Sequence, residues 1–293
     1  ILGGRIDNHN RLGTFITPRL HMRYNPWDKG VLRFSAGRGK RSANIFAENQ
    51  PLFASSRTFE ILNSNGKIYG LNPEIAWNYG LSFSQKFSFL GKSADVGFDL
   101  YRTDFQNQAI VDVMQSPQEV LFYNLDGKSY ANSLQVEFNY EILNHLNLRS
   151  AYKFYDIQTD YLSGRYQKAL QAKHRFFGNI EYETPVGEKG QQWKFDYTLN
   201  WIGQQQLPTT ASNQEQDRLP EFSKSYSLMN AQITKIFSPT FEVYVGGENI
   251  GNYTQEKAIL GSENPFGPNF DASIVYAPVF GQMYYAGLRF KIK

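Results

Sequence analysis

The sequence predicts an all-β fold, an antiparallel up-and-down β-barrel that crosses a membrane. Three observations predict it. Apolar and polar residues alternate in many segments, short and long connections alternate between those segments, and aromatic residues form 16% of the chain, with 19 Tyr and 23 Phe. Alternation with a period of two gives a strand one apolar face and one polar face.

Three segments show the alternation most clearly. They are EIAWNYGLSF at 74–83, SLQVEFNYEI at 133–142 and WKFDYTLNW at 193–201. One face of the third segment is apolar and consists of Trp193, Phe195, Tyr197, Leu199 and Trp201. The other face is polar and consists of Lys194, Asp196, Thr198 and Asn200. Such segments are typical of half-buried strands.

Eight further segments show the same pattern and bring the predicted count to 11 strands. They lie near residues 13–24, 31–40, 94–107, 146–158, 174–184, 225–237, 241–250 and 284–293. The last of them, YYAGLRFKIK, places Tyr284, Ala286, Leu288 and Phe290 on its apolar face.

The connections between the predicted strands alternate in length. Short turns, rich in the Pro, Gly, Asn and Ser that tight turns require, lie at 25–30, 89–93, 144–146, 185–192 and 238–240. Long loops lie at 41–73, 108–132, 159–173, 204–224 and 251–280. The short turns therefore share one rim and the long loops share the other, as in outer-membrane barrels.

A soluble β-sandwich is the alternative fold, since it also buries one face of each strand. Sandwiches alternate less regularly and seldom have all of their long loops at one end. In a membrane barrel, the many aromatic residues form the lipid-facing wall and the two interfacial girdles. The aromatic content therefore favours the membrane barrel.

The composition excludes several other classes of protein. With 41% hydrophobic and 19% charged residues, the chain is not disordered. It contains no run of 18 apolar residues that could form a transmembrane helix, and no Cys for disulfides or thiolate sites. A net charge of +3 is too small to indicate nucleic-acid binding.

Eleven strands cannot close a bacterial single-chain barrel, because such barrels have an even number of strands. An open edge would leave unpaired N–H and C=O groups in hydrocarbon, at a cost of several kcal/mol each. Either one strand is missing from the count, or the chain is one part of a larger wall. The first residues, ILGGRIDNHN, show neither an initiating Met nor the apolar run of a signal peptide. We therefore expect that a signal has been removed or that the chain is a piece of something longer.

Several segments, taken in order, resemble TonB-dependent outer-membrane receptors. They are TPRLHMRYNP (17–26), GRGKRSANIFAENQPLFASSR (37–57), LNPEIAWNYGLSFSQKF (71–87), DVGFDLYRTDFQNQAIVD (95–112), NLDGKSYANSLQVEFNY (124–140), KHRFFGNIEYET (173–184) and VYVGGENIGNYTQ (243–255). The segments NPFGPNFDAS (264–273) and APVFGQMYYAGLRF (277–290) are similar to the closing part of such receptors from the Bacteroidetes lineage. The resemblance covers essentially the whole chain.

The resemblance implies a 22-stranded barrel, filled by an N-terminal plug domain, that takes up scarce nutrients across the cell outer membrane. Residues 1–293 would then be the C-terminal half of the barrel, with 11 of the 22 strands, and would lack the plug and the first half. The implied partners are outer-membrane lipid, the TonB complex through the absent plug, and a surface lipoprotein or other outer-membrane subunits. No cofactor is implied.

The sequence shows no catalytic or metal-binding motif. The four histidines, His9, His21, His145 and His174, lack any ligand spacing, and AGRGKRS lacks the Ser or Thr that follows the lysine of a phosphate loop. No GxSxG nucleophile elbow is present. We therefore expect that the protein is not an enzyme and has no metal site.

Two sets of residues are candidates for roles in transport. The first set should face the polar lumen, because charges there avoid the lipid: Glu137, Asn139, Glu141, Lys194, Asp196, Asn200, Arg289 and Lys291. The second set lies in the first and last long loops, where a rigid scaffold presents binding residues: Arg41, Asn44, Glu48, Arg57, Asn264, Phe266, Asn269 and Asp271. For both sets, a purely structural role is the alternative.

Two other functions remain open at the level of sequence. One is a self-contained porin or autotransporter-type translocator of about 12 strands, which requires an even, closed barrel. The other is a receptor-like scaffold subunit whose loops bind proteins in an outer-membrane assembly. The resemblance also implies that the final strand closes the barrel and carries an insertion signal. We therefore predict that residues 284–293 do not pair with residues 13–24. The chain continues past Phe290 through Lys291, Ile292 and Lys293, which departs from a signal that ends at an aromatic residue.

Overall fold

The computed structural model describes residues 1–62 and 65–292, and this part of the chain is almost entirely β-structure. Two short 3-10 helices lie at Ala47–Phe53 and Glu215–Asp217. Neither helix of the described residues is long enough and apolar enough to cross a membrane. The strands are β1 (Leu2–His9), β2 (Gly13–Tyr24), β3 (Gly30–Arg41), β4 (Thr58–Ile61), β5 (Glu74–Phe89), β6 (Lys92–Asn107), β7 (Ala109–Asp112), β8 (Glu119–Asn124), β9 (Ser129–Leu143), β10 (Leu146–Tyr161), β11 (Gly164–Gln167), β12 (His174–Glu183), β13 (Gln192–Ile202), β14 (Tyr226–Ser238), β15 (Phe241–Glu248) and β16 (Met283–Phe290).

Twelve of these strands form one continuous antiparallel sheet, which we call the wall. Its order is β1-β2-β3-β5-β6-β9-β10-β12-β13-β14-β15-β16, and the short strand β11 pairs with β10 beside this path. Each wall strand therefore lies next to the wall strand that precedes it in the chain. This is the up-and-down arrangement that the sequence predicts, and the fold class is confirmed.

The predicted count of 11 strands is one too low. All 11 predicted strands are present, and β1 (Leu2–His9) is an additional strand that pairs with β2 along its whole length. Its sequence, LGGRIDNH, has only Leu2 and Ile6 as large apolar residues, so the alternation is too weak to recognise. The wall therefore has an even number of strands, and an odd count does not explain why it is open.

The wall is open in the part of the chain that the structure describes. Strands β1 and β16 are the two ends of the strand order, and β16 pairs with β15 through Phe290↔Phe241 to Met283↔Glu248. Strand β2 pairs with β1 and β3 instead. The prediction that the terminal strand does not pair with residues 13–24 is confirmed.

The two faces of the wall differ in chemistry because the strand register keeps apolar residues in line. Phe83 lies opposite Phe98, and Leu81 lies opposite Leu100, both on the same face. On β5 this apolar band runs from Tyr79 to Phe89, interrupted by Gln85, which accepts a hydrogen bond from the Trp27 indole. Ten residue steps of about 3.3 Å, tilted by about 40°, correspond to a band about 25 Å tall, which is the hydrocarbon height for a membrane barrel.

Tight turns join the strands at one end of the wall. Between β5 and β6 the turn is only Leu90 and Gly91, with φ of 49° and 77°. Positive φ at both central residues is the type I′ geometry that matches the twist of a hairpin, and glycine adopts it without strain. At the other end, five long connections contain β4, β7, β8, β11 and both 3-10 helices.

Candidate functional site

The five long connections pack together at one end of the wall, and we call them the cap. They are residues 42–73, 108–128, 162–173, 203–225 and 249–282, numbered here as the first to fifth connections. The sequence predicts loops for these regions. The structure shows instead a second small sheet, of order β4-β8-β7, and separate buried apolar clusters.

The first and second connections are joined by a parallel strand pair. Strand β4 pairs with β8 from Thr58↔Glu119 to Ile61↔Phe122. Below this pair, Phe122 and Val120 are completely buried in an apolar cluster with Ile45 from the first connection. The small sheet therefore has its own core, which no strand of the wall provides.

A buried hydrogen bond joins the second connection to the third. The Tyr123 hydroxyl donates to Asp112 Oδ2 at 2.7 Å and accepts from the Leu162 backbone N–H at 3.1 Å. Burial, and then the hydrogen bond to Asp112, raises the pKa of Tyr123 far above its usual value. The phenol therefore stays protonated and acts as a fixed donor.

A buried ion pair joins the first connection to the fifth. Arg57 Nε lies 2.8 Å from Asp271 Oδ2, and their side chains are 1% and 6% exposed. Arg57 Nη1 also donates to the carbonyl oxygens of Ser116 and Glu119, so the guanidinium links its own connection to the second and the fifth. Asp271 Oδ1 accepts from the Ser273 hydroxyl at 2.6 Å. An ion pair so removed from water persists only with hydrogen bonds of this kind around it.

Polar contacts include the fourth connection in the same network. Gln118 Nε2 donates to Asn213 Oδ1 at 2.8 Å and to Asn269 Oδ1 at 3.3 Å. The Gly261 N–H donates to Asp217 Oδ1 at 3.0 Å. Because every connection touches at least one other, the cap is a single packed layer and not five independent loops.

Arg41, at the end of β3, is the centre of a charged cluster where the wall meets the cap. Its Nη1 and Nη2 atoms donate to the two carboxylate oxygens of Glu48 at 2.9 and 3.0 Å, and its Nε lies 2.6 Å from Glu74 Oε2. Asn44 contributes its backbone N–H to Glu48 at 3.2 Å. Burial is the largest single influence and would raise the pKa of Glu48. The hydrogen bonds from the Arg41 side chain and the Asn44 backbone, together with the charge of Arg41, outweigh it, so the pKa of Glu48 is lowered.

A cavity of about 370 Å³ lies beside this cluster, between the first connection, β7 and the end of β10. Its polar lining includes Arg41, Glu48, Glu74, Gln108, Thr159 and Lys168. Its apolar lining includes Leu52, Ile110, Val113, Ile157 and Leu170. A concave site of this size, with apolar walls and a few charged groups, suits a small ligand with both polar and apolar parts.

The predicted loop residues fall into three groups. Arg41, Asn44 and Glu48 contact one another, and Arg41 and Glu48 line the cavity. Arg57 and Asp271 are buried against each other, which agrees with the structural role that is the alternative to ligand contact. Asn264, Phe266 and Asn269 lie near the tip of the fifth connection, where Phe266 is fully exposed and Asn269 accepts from Gln118.

Several cavity residues were absent from the sequence prediction. Gln108, Ile110, Thr159 and Lys168 line the cavity from the second connection, β10 and the third connection. Nothing in their local sequence indicates a site, because they meet only through the folding of distant connections. All four lie in regions predicted as loops without further structure, whereas Ile157, which also lines the cavity, lies in a predicted wall strand.

The residues predicted to face a lumen lie on the polar face of the wall. Several are paired with neighbours on that face: Lys194 with Glu183, Arg289 with Glu242, Glu141 with Lys92, and Asp196 with Asn179. Glu137 accepts from Gln135, and Asn139 and Asn200 share the same face by register. Lys291 lies one residue beyond β16. That this face lines a lumen remains a prediction.

The wall matches a known family model. Residues 1–250 match the family described as TonB dependent receptor-like, beta-barrel. Since the match covers most of the 293 residues, the chain belongs to this family. In the comparison with curated proteins, no sequence matches this chain.

Solved structures of similar fold are TonB-dependent receptors and related transporters. A mutant of the ferric enterobactin receptor PfeA from Pseudomonas aeruginosa has a TM-score of 0.66 and 13% identity, covering 98% of this chain and 42% of its own. The siderophore receptor PirA from Acinetobacter baumannii has a TM-score of 0.66 and 14% identity, covering 99% and 43%. The copper transporter OprC has a TM-score of 0.67 and 12% identity, covering 94% and 39%. The chain therefore spans less than half the length of these proteins, and the likeness shows the fold.

Proposed function

We propose that this chain is the C-terminal part of an outer-membrane receptor that takes up a scarce nutrient with energy from the TonB complex. The observation that carries the proposal is the cavity between the cap and the end of the wall, because its charged and apolar lining suits a small ligand and the wall belongs to the receptor-barrel family. The 25 Å apolar band supports a place in the outer membrane as a multi-pass barrel. No cofactor or catalytic step is part of the proposal.

The finer assignments belong to the same proposal. The segments at 264–273 and 277–290 support a receptor of the Bacteroidetes type. The TonB complex would be contacted through a plug domain that residues 1–293 do not contain, and the 22-stranded barrel would be completed by strands outside this chain. A self-contained porin is disfavoured, since β1 and β16 are not paired with each other in the described residues.

A role as a receptor-like scaffold is the second candidate, and one observation favours it. Phe266 is 100% exposed at the tip of the fifth connection, and Phe280 is 83% exposed in the same connection. These two side chains are candidates for contact with another protein, since contiguous exposed apolar surface marks such contacts. A surface lipoprotein or another outer-membrane subunit would fit this position.

The cavity is tested by filling it in the intact receptor. Leu52→Trp should obstruct the cavity and reduce TonB-dependent growth or uptake about tenfold or more, in a screen of iron chelates, cobalamin, glycans and peptides. Leu162→Trp is the matched control, because Leu162 lies in the third connection, is exposed and is not among the lining residues. Uptake that continues without TonB would contradict the proposal, as would equal uptake by both variants at equal surface expression. Recovery of a stoichiometric surface protein without any uptake would favour the scaffold.

A further inference from the structure

Two arginines lie opposite each other on the polar face of the wall, near the strand ends that are farthest from the cap. Arg23 on β2 and Arg33 on β3 are directly opposite in the strand register. Like charges in this position destabilise a strand pair. The repulsion between the two guanidinium groups therefore has to be offset by another group.

The described residues do not provide a carboxylate for either arginine. Arg23 Nε donates to the Asn25 side-chain oxygen at 3.2 Å, and neither guanidinium lies within ion-pair distance of an acidic group in residues 1–62 and 65–292. On the same face, Arg5 is paired with Asp7 at 2.9 Å. Lys153 and Arg175 are also directly opposite in the register and likewise have no ion pair among the described residues. The lack of a carboxylate partner therefore supports a binding site only together with the cavity that Arg23 and Arg33 line.

The two arginines line a cavity of about 480 Å³, which we call the arginine cavity. His21, Ser35 and Tyr101 also line it, and Gly80 lies between Ser35 and Tyr101. A Cβ on Gly80 would lie 2.5 Å from Ser35 Oγ and 2.5 Å from Tyr101 Cε1. Glycine at this position therefore lets the hydroxyl and the ring approach the backbone closely.

The nearest carboxylate in the same row of the sheet belongs to Asp99. The register runs from Arg33 to Ser82 and then from Ser82 to Asp99, so two strand spacings, about 10 Å, separate Asp99 from Arg33. Asp99 already accepts a hydrogen bond from Ser82. At this distance, in a polar and hydrated surface, its attraction for Arg33 is weak.

We propose that the arginine cavity binds an oxyanion, either a carboxylate or a phosphate group. Guanidinium groups present planar, forked donors that match such oxygens, and an anion between Arg23 and Arg33 would remove their repulsion. The Tyr101 and Ser35 hydroxyls provide further donors. The oxyanion comes either from a free anion or from a protein carboxylate seated against the wall, and the site is separate from the cap cavity of the proposed function.

The test is an anion titration of the intact protein in detergent, with inorganic phosphate and citrate as probes. Arg33→Gln should weaken binding of the probes about tenfold or more, whereas Arg33→Lys, which keeps the charge but not the fork, should weaken it less. Arg5→Gln is the matched control on the same face, since Arg5 is already paired with Asp7.

The result also distinguishes the two sources of the oxyanion. If a protein carboxylate occupies the cavity, the probes should not bind to the wild type, and Arg33→Gln should lower the midpoint of thermal unfolding more than Arg5→Gln does. The proposal is overturned if Arg33→Gln binds the probes as tightly as the wild type. It is equally overturned if the wild type does not bind them and Arg33→Gln is no less stable than Arg5→Gln.

Discussion

The wall and the cap are stabilised in opposite ways. In the wall, the alternation of apolar and polar residues repeats from strand to strand. Large apolar side chains such as Leu81 and Phe98 remain exposed on one face. The cap has no repeating pattern of this kind, and its interior contains both Phe122 and polar groups such as Arg57 and Asp271. The stability of the wall is therefore spread over many similar contacts, whereas that of the cap depends on a few.

This difference follows from the surroundings that each region suits. A lipid-facing wall requires paired backbone N–H and C=O groups and an apolar surface. Strand pairing provides the first, and regular alternation of side chains provides the second. A cap in water must bury apolar area and satisfy irregular backbone groups, which requires specific side-chain partners. Single substitutions in the cap should therefore cause large, local losses of stability. In the wall, the loss of stability should depend on whether the substitution is on the apolar or the polar face.

The largest effect is expected for Arg57→Leu. The substitution leaves Asp271 buried at 6% exposure without its cation, and breaking a buried pair in this way costs about 3–5 kcal/mol. We expect the first and fifth connections to separate, which limited proteolysis and hydrogen exchange of residues 54–58 and 269–273 would show.

The matched control for this prediction is Lys224→Ala. Lys224 also forms an ion pair between two connections, with Glu256 at 2.8 Å, but both side chains are more than 70% exposed. Exposed pairs of this kind are screened by solvent and contribute little to stability. Equal protection of the cap in Arg57→Leu and Lys224→Ala would show that the cap does not depend on the buried pair.

The wall is the region that the sequence predicts well. Alternation identified 11 of its 12 strands, and the order of short and long connections predicted their up-and-down arrangement. Both signals are local, because a strand's faces follow from neighbouring residues and a hairpin from its turn. The exception is β1, which contains two adjacent glycines, Gly3 and Gly4. Because glycine has no side chain, neither face of β1 shows the alternation of apolar and polar residues at these positions.

The cap could not be predicted because its contacts join residues far apart in the chain. Arg57 and Asp271 are separated by 214 positions, and Thr58 pairs with Glu119 in parallel. Arg57 and Asp271 were recognised as important loop residues, but their sequence could not indicate that they bind each other. Among the candidate loop residues, Arg41, Asn44 and Glu48 do contact one another, and these lie within eight residues in the chain.

In the wall, Phe83→Arg should have the next largest effect. Phe83 lies on the apolar face near the middle of the band on β5, opposite Phe98. An arginine facing lipid near the midplane costs about 2–4 kcal/mol. Lower yield of folded receptor in the membrane and a lower urea midpoint for unfolding from detergent or lipid would measure the loss.

Ser84→Arg is the matched control for the wall, because Ser84 is the next residue and lies on the polar face. We expect a loss of less than about 1 kcal/mol there, since the guanidinium stays in a polar environment. If Ser84→Arg destabilises the protein as much as Phe83→Arg, the assignment of the two faces is wrong.

A smaller effect is expected for Gln255→Ala in the cap. The Gln255 amide donates to the carbonyls of Lys257 and Ile274 at 2.7 and 2.8 Å, and it accepts from the N–H groups of Tyr276 and Ala277. Its loss leaves buried backbone groups without partners, at a cost of about 1–3 kcal/mol. Faster hydrogen exchange at residues 274–277, with unchanged exchange in β14, would confirm that one amide organises the fifth connection. Unchanged exchange at 274–277 would contradict it.

The smallest effect concerns acidification of the charged cluster at Arg41. Because the folded-state pKa of Glu48 is lowered, its contribution to stability is fully present above the unfolded value of about 4.5 and is lost as the pH falls below it. Glu48 is 41% exposed, so screening limits this contribution to a few tenths of a kcal/mol. The opening of residues 42–50 should therefore be constant between about pH 8 and 5.5 and should increase below about pH 4.5, as protease cleavage with an acid-active enzyme would show. Glu48→Gln should remove most of that pH dependence, and an equally steep rise in the variant would show that another group is responsible.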